Sequence, residues 1–213
     1  KHLAKADEHK GVKLLTVWTH GPGVLHNSKR PVEKIADIKG LKLRVPSEAI
    51  GSVAREVGAV PLLVPISQVH DILSKGTADG LFTPFNAVLD FKLGKILRYS
   101  TTVKGGVYNL AFHFIMNQKK WASLTKSEQA AIEKFSGEAG ARLMGAAWDR
   151  GDKAGIKYAT DNGMKISKMN PAFRDALGAA AQPLIDKWIA QVKAKGIDGR
   201  AALDMLAAER GPQ

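Results

Sequence analysis

The stretch Ile38-Lys39-Gly40-Leu41-Lys42-Leu43-Arg44-Val45-Pro46 predicts a short β-strand that carries one arginine to its end. Because side chains alternate between the two faces of a strand, Leu41, Leu43 and Val45 share one face. Arg44 lies on the other face, at the last polar position before the chain turns. In an open α/β sheet, ligands bind outside the carboxyl ends of the strands. A guanidinium there suits a carboxylate or a phosphate, and a surface ion pair with a local acid is an equally good interpretation.

Composition narrows the classes of protein that this chain can belong to. The 213 residues contain 45% hydrophobic residues and no cysteine, so a sizeable core is expected, and disulfides, thiolate catalysis and cysteine zinc sites are excluded. No window approaches the roughly 18 consecutive apolar residues of a membrane helix. The net charge of +12 is scattered, without a basic run or a nucleic-acid-binding motif, so we expect no nucleic-acid partner.

A regular alternation of strands and helices follows the opening stretch. Strands are predicted at 41–45, 60–64 and 78–83, and helices at 48–57 and 68–75. Such units form parallel sheets with right-handed crossovers, so the three strand ends meet at one edge. This arrangement predicts that Arg44, Ile66 and residues 83–86 share one wall of a cleft.

The remainder of the chain predicts a mixture of strands and long helices. A buried strand at 12–18 precedes a loop at 21–27, and a strand at 107–116 is apolar on both faces, which is typical of a central, covered strand. The Thr125–Glu128 capping box opens a helix that continues, with a bend, to about residue 160. A strand at 164–167 and helices beginning at 171 and spanning 199–210 follow. The polar residues 1–10 have the character of a helix end, not of a signal peptide.

An enzyme is the rival class of function for this chain. The sequence has no nucleophile elbow, phosphate loop or dinucleotide glycine pattern. His70 and Asp71 are adjacent on a predicted helix and so do not face each other. We therefore expect no enzyme, no cofactor and no metal. Trp18 at a strand end and His20 beside the Gly-Pro-Gly loop remain candidates for contact with a ligand.

Several stretches together resemble the solute-binding proteins of TRAP (tripartite ATP-independent periplasmic) transporters, of the dicarboxylate-binding type. They are the stretches at 11–15, 31–32, 37–46, 57–61, 76–80 and 116–125. The resemblance implies an α/β, periplasmic-binding-protein-like fold with two lobes, type II-like, with parallel or mixed sheets flanked by helices and long C-terminal helices. It also implies a periplasmic protein that delivers an organic acid to membrane permease subunits.

The resemblance implies roles for residues at the predicted sheet edge. Arg44 matches an arginine that pairs with the carboxylate of the solute, and Thr83 matches a polar contact. Ile66 matches a residue that lines the pocket. Val24 stands near the place of a second arginine found in sialic-acid-type members, so a sugar acid is disfavoured.

Three residues near the end of the third predicted strand complete the candidate site. Phe82 and Phe85, with Ile66, favour a smaller or more apolar acid, and Asn86 is an alternative to Thr83 as hydrogen-bond donor. The lobes are expected to close around the acid by a hinge motion. The sequence does not identify which acid is bound.

The resemblance also predicts how the chain is divided. Residues 1–23 end the first lobe, 24–104 form the second, 105–160 return to the first through a strand and a long helix, and 161–213 pack on both. The chain is predicted to lack the opening part of the first lobe. An apolar strand left uncovered pairs readily with another chain, so we expect a homodimer, exchanged elements or an unstable chain.

Overall fold

The computed structural model describes residues 8–209, apart from the side chain of residue 209. The strands are β1 Val12–Thr19, β2 Val24–Asn27, β3 Lys42–Val45, β4 Val60–Leu63, β5 Gly80–Thr83, β6 Tyr99–Thr102, β7 Ala111–Asn117 and β8 Lys165–Lys168. The helices are α1 Ile35–Ile38, α2 Glu48–Glu56, α3 Val69–Ser74, α4 Phe85–Asp90, α5 Gln118–Ala122, α6 Lys126–Glu133, α7 Gly137–Asp161, α8 Pro171–Lys193 and α9 Gly199–Glu209. The α/β class predicted from the sequence is confirmed.

Local capping residues explain where several helices begin and end. The Ser47 side chain accepts a hydrogen bond from the backbone of Ile50 and starts α2. Gly58 follows α2 with a φ of +90°, a conformation that glycine adopts without strain. At α6, the predicted capping box is present: Thr125 and Glu128 each bind the other's backbone N–H. The bend predicted in the long helix is the break between α6 and α7.

The described residues divide into two compact units. The two-strand unit contains residues 8–19, 111–145 and 182–209, and the six-strand unit contains residues 20–110 and 146–181. The helices α7 and α8 each contribute one part to each unit.

The six-strand unit is a mixed sheet in the order β4-β3-β5-β2-β6-β8. β3 pairs in parallel with β4 and β5, as the strand–helix alternation predicts. β2 runs antiparallel to β5 and β6, and β8 runs parallel to β6. One core cluster packs under α2 and the first part of α8, and the other under α3 and α4. Side-chain alternation along each strand divides the residues between the two clusters.

The two-strand unit is built around the antiparallel pair β1–β7, in which Val12 lies opposite Asn117 and Thr19 opposite Ala111. The unit leaves large apolar side chains exposed. Phe114 is 48% exposed, and its neighbour Ile115, which projects to the other face, is 47% exposed. The apolar pattern of β7 predicts a strand that is covered on both faces. This prediction is wrong, because neither face of β7 is fully covered by residues 8–209.

Three strand predictions needed correction. Residues 24–27, predicted as a loop, form the buried strand β2. The polar residues His26 and Asn27 interrupt the apolar pattern by which a buried strand is recognised. The strand β6 was not predicted, because its sequence is Tyr-Ser-Thr-Thr. The strand predicted from residue 107 begins at 111, since the segment before it follows Gly105 and Gly106, both at positive φ.

Two sequence predictions fall partly outside the described residues. The helix end predicted for residues 1–10 lies mostly in the undescribed residues 1–7, and the last residue of the helix predicted at 199–210 is also undescribed. Between residues 8 and 209, no helix combines the length and the apolar character that a bilayer crossing needs.

Candidate functional site

The alternation of side chains along β3 determines the face of the sheet from which Arg44 projects. Leu43 and Val45, on either side of it, are buried in the core cluster beneath α2. Arg44 therefore projects from the opposite face of the sheet. Only 6% of the residue is exposed, which is unusual for a charged side chain without a structural role. The buried position disfavours a solvated surface arginine.

The Arg44 guanidinium has no acidic partner among residues 8–209. Its Nε donates to the Val64 carbonyl oxygen at 3.0 Å, which ties β3 to the end of β4. None of the ion pairs found among residues 8–209 includes Arg44. Burial lowers the pKa of Arg44, and the nearby Tyr108 hydroxyl partly opposes that effect. Because arginine keeps its proton in proteins, the site presents a buried positive charge that no acid in the described part of the chain neutralises.

Tyr108 provides the neutral neighbour of this charge. Burial raises the pKa of its hydroxyl, so the group is protonated at neutral pH. It donates a hydrogen bond of 3.2 Å to the Phe82 carbonyl oxygen on β5. The Tyr108 ring also lies against the position where Gly23 would carry a Cβ, so the close approach requires glycine there. Tyr108 was not recognised from the sequence, where it belonged to a predicted strand.

Thr83 ends β5, next to β3 in the sheet. The residue is 2% exposed, and its carbonyl oxygen lies 3.2 Å from Nε2 of His26. The pairing of Arg44 with Leu62 on β4 and with Leu81 on β5 brings the three parallel strand ends to the same edge. Ile66 follows the end of β4 and is half-buried against the core. The predicted grouping of Arg44, Ile66 and Thr83 at one sheet edge agrees with these positions.

Phe82 and Phe85 lie in different cores. Phe82 is 3% exposed and belongs to the cluster beneath α2, where it also lines an apolar pocket of about 240 Å³. Phe85 is 6% exposed and belongs to the cluster beneath α4, with its ring edge-on to His26. Phe82 therefore projects from the sheet face opposite to Arg44 and Thr83.

Asn86 and His20 are both engaged within the protein. The Asn86 backbone N–H donates to Asp152 at 2.8 Å and its side-chain amide donates to Asp90, while its Oδ1 is buried without a partner. His20 Nε2 accepts a hydrogen bond from the Leu110 backbone, so Nδ1 carries the proton and donates to the Gly21 carbonyl. Burial lowers the pKa of His20, opposed by the Gly21 hydrogen bond and by Asp152.

Trp18 belongs to the two-strand unit, whereas the other candidate ligand-binding residues belong to the six-strand unit. Its indole stacks on Phe112 with ring centroids 5.8 Å apart and also contacts Phe114. The indole N–H is buried without a hydrogen-bond partner. A buried donor of this kind is normally paired, and the ligand contact predicted for Trp18 stays a prediction.

Catalytic and metal-binding alternatives find little support in the described part of the chain. Within it, no group of three or more His, Asp or Glu side chains is placed to hold a metal ion. His70 is exposed, and the neighbouring Asp71 pairs with Lys75 one turn along α3. Both residues therefore face solvent.

Comparison with known proteins decides the family. A family model described as "Bacterial extracellular solute-binding protein, family 7", named DctP, matches residues 1–191. The chain belongs to this family. Proteins similar to it include the one named "Outer membrane transporter protein TsaT" from Comamonas testosteroni, 30% identical over 212 residues. Another is the C4-dicarboxylate-binding periplasmic protein DctP from Rhodobacter capsulatus, 25% identical over 211 residues. This chain spans 62% and 61% of these two relatives, and each alignment covers 98% of this chain.

Solved structures of TRAP solute-binding proteins show the same fold. A TRAP periplasmic solute-binding protein from Bordetella bronchiseptica, with bound (R)- and (S)-mandelate, is 39% identical with a TM-score of 0.91. The match covers 99% of this chain and 67% of that one. A marine metagenome TRAP protein specific for aromatic acid ligands is 30% identical, with a TM-score of 0.87 over 97% of this chain and 67% of that one. A Rhodoferax ferrireducens protein with copurified benzoate is 27% identical, with a TM-score of 0.84 over 93% and 64%.

Proposed function

We propose that this chain binds a small organic acid whose carboxylate pairs with Arg44. The observation that carries the proposal is the buried guanidinium, which pairs with no acidic side chain of the residues that the structure describes. A buried charge is costly when it is unpaired, and a ligand carboxylate both neutralises it and accepts hydrogen bonds from its planar fork of donors. The Nε bond to Val64 leaves the two terminal nitrogens for the ligand.

Neighbouring groups at the same edge are proposed to complete the site. Thr83 or Asn86 supplies a further hydrogen bond, and Ile66 contacts the apolar part of the acid. Phe82 and Phe85 are proposed to fix the end of β5 and the start of α4 from within their cores, since both are almost fully buried. Trp18 and His20 remain candidates for secondary contacts.

The class of acid is inferred from the solved relatives and from the lining of the edge. The three structures most relevant here carry mandelate, meta-hydroxyphenylacetate and benzoate, which each combine one carboxylate with an aromatic ring. Val24, near the place of a second arginine in sialic-acid-type members, is 3% exposed and apolar. We therefore propose an aromatic or similarly apolar monocarboxylate as the ligand.

The proposed role is that of the extracytoplasmic binding subunit of a TRAP-type transporter. Relatives of this chain are named as periplasmic binding proteins, which supports a periplasmic location. The bound acid would pass to membrane permease subunits. The relatives are solute-binding proteins, and this supports binding without chemical conversion.

Titration calorimetry with mandelate, 3-hydroxybenzoate and benzoate tests the proposal. Arg44→Ala should weaken binding by about 2–5 kcal/mol, because it removes a partly desolvated charged contact. Arg44→Lys should weaken it less, since a point charge lacks the planar fork. Arg55→Ala is the matched control, because Arg55 forms an exposed pair with Glu48 on α2. Equal affinity of the Arg44→Ala variant and the unmodified chain would refute the role of Arg44.

The salt dependence of binding separates this function from the remaining alternative, a basic module for nucleic acids. Neutralising many phosphates makes affinity fall steeply with salt, whereas one pocketed carboxylate gives a mild dependence. We expect the mild dependence with mandelate and no measurable binding of a mixed-sequence oligonucleotide at physiological salt. Tight oligonucleotide binding with a steep salt slope would favour the alternative.

A further inference from the structure

Two buried polar side chains occupy directly opposed positions on the neighbouring strands β2 and β6. His26 on β2 lies directly opposite Ser100 on β6 in the antiparallel register. Both residues are 0% exposed. Directly opposed residues of an antiparallel pair project to the same face, with Cβ atoms roughly 4.5–5.5 Å apart. The imidazole and the hydroxyl therefore occupy one buried region of the six-strand unit.

The contact between His26 and Thr83 determines the state of the imidazole. Nε2 lies 3.2 Å from the Thr83 carbonyl oxygen, which only accepts hydrogen bonds, so Nε2 carries the proton. Full burial keeps the ring neutral and lowers its pKa to about 4. Nδ1 is then an acceptor, and it is buried without a partner, as is the Ser100 hydroxyl oxygen. The acceptor and the unused donor are thus cross-strand neighbours.

We propose that His26 is a positioning residue for the Arg44 site, linked through Nδ1 to the Ser100 hydroxyl by one buried water molecule and itself holding the Thr83 carbonyl. The two atoms do not bond each other directly in the structure, and a bridging water molecule is a usual way in which buried polar groups are satisfied. The ligand-binding consequence of this inference rests on the proposed function.

The arrangement fixes the end of β5 from two directions. His26 donates to the carbonyl of Thr83, and Tyr108 donates to the carbonyl of Phe82. Two consecutive carbonyl groups are therefore held by side chains from β2 and from the segment before β7. The Thr83 hydroxyl, a proposed ligand contact, depends on the backbone that His26 holds.

Nitrogen-15 NMR of the labelled full chain tests the link between Ser100 and His26. The His26 ring should show the tautomer that is protonated at Nε2. In Ser100→Ala, the Nδ1 resonance should move towards the value of an acceptor without a donor, while the tautomer stays the same. Thr102→Ala is the matched control on the same strand. The Thr102 hydroxyl donates to the Ser167 carbonyl oxygen, so its loss should leave the Nδ1 resonance of His26 unchanged. A ring protonated at Nδ1, or an Nδ1 resonance unchanged by Ser100→Ala, would overturn the proposal.

Binding measurements test the positioning role. His26→Leu should weaken mandelate binding about tenfold, whereas His26→Gln should stay within about threefold, because its amide still donates to the Thr83 carbonyl. Equal losses in both variants, with both folded by circular dichroism, would refute the positioning role. Should His26→Leu not fold, Ser100→Ala replaces it, with an expected loss of about threefold, and full affinity would count against the proposal.

The two proposals fail in distinguishable ways. If the unmodified chain binds none of mandelate, 3-hydroxybenzoate and benzoate, the proposed function and the positioning role both fail. The NMR experiment still decides whether the Ser100 hydroxyl is linked to Nδ1 of His26. If Arg44→Ala loses binding and both His26 variants retain it, only the positioning role is wrong.

Discussion

β3 in the six-strand unit and β7 in the two-strand unit differ in how far their side chains are exposed to solvent. In β3 even the charged Arg44 is only 6% exposed, whereas in β7 the aromatic Phe114 is 48% exposed. β3 has a strand on each side and core clusters on both faces, while β7 pairs only with β1 among residues 8–209. Burial in this chain therefore follows from the number of neighbours of a strand more than from the polarity of its residues.

The same substitution should have opposite effects in the two units. Gly80→Ala should destabilise the six-strand unit by about 3 kcal/mol, because the added Cβ would overlap the backbone carbonyl of His26. Gly145→Ala is the matched control in the two-strand unit: its Cβ meets nothing within 4 Å, and alanine favours a helix by about 1 kcal/mol. Denaturant unfolding measures both effects. A neutral Gly80→Ala would contradict the tight packing of β5 against β2.

Acid should destabilise the six-strand unit through His26. The pKa of His26 is about 4 in the folded chain, against an ordinary value of 6.5, because burial disfavours the charged form. The unfolded chain therefore binds a proton first, so stability is full above pH 6.5 and falls as the pH drops towards 4. The loss should be about 3 kcal/mol.

Unfolding of the unmodified chain and of His26→Gln across this pH range isolates the contribution of His26. The variant has no imidazole to protonate, so its stability should fall less steeply, while the carboxylates contribute equally to both proteins. Parallel pH profiles would show that His26 does not titrate differently on folding.

Self-association should arise from the two-strand unit. An exposed apolar strand with one neighbour is a site for pairing with another chain, so we expect a dimer in sedimentation experiments at micromolar concentration. Phe114→Lys should weaken the dimer by about 1–2 kcal/mol, because charged residues oppose strand pairing. Leu206→Lys, which changes an equally exposed apolar residue on α9, should have no effect. A monomer at all concentrations would show that the exposed strand does not drive association.

The smallest expected effect concerns the capping box of α6. Thr125→Ala should cost about 1 kcal/mol, because it removes the side-chain acceptor for the Glu128 backbone N–H at a helix start. Ser127→Ala, inside the same first turn, should change the stability by no more than about 0.5 kcal/mol. Thermal denaturation compares the two variants. Equal losses would indicate that the capping box does not set the stability of α6.

The sequence predicted the part of the site that depends on local pattern. The alternation of apolar and polar residues around Arg44 predicts which face of β3 carries the guanidinium. The strand–helix alternation predicts the parallel pairing that brings Ile66 and Thr83 to the same edge of the sheet. The sequence left open whether Arg44 pairs with an acid, because that depends on contacts across the fold. Tyr108 lies 64 positions further along the chain and approaches Arg44 only through tertiary structure.

Polar residues within buried strands were the main source of error. β2 contains His26 and Asn27, and β6 contains Ser100 and Thr101, and all four are 0% exposed. Hydrophobic periodicity does not detect such strands. Hydrogen bonds compensate for part of this burial, as where the Thr101 hydroxyl donates to the Val32 carbonyl. These bonds are visible only once the strands are paired.

The shared helices limit how this protein can be divided or recombined. The boundary between the units falls inside α7, between residues 145 and 146, and inside α8, between residues 181 and 182, just before Pro183. A gene segment that encoded one unit alone would begin or end in mid-helix, and each cut would leave up to four backbone groups without partners. Neither unit could therefore be transferred by gene fusion without breaking a helix.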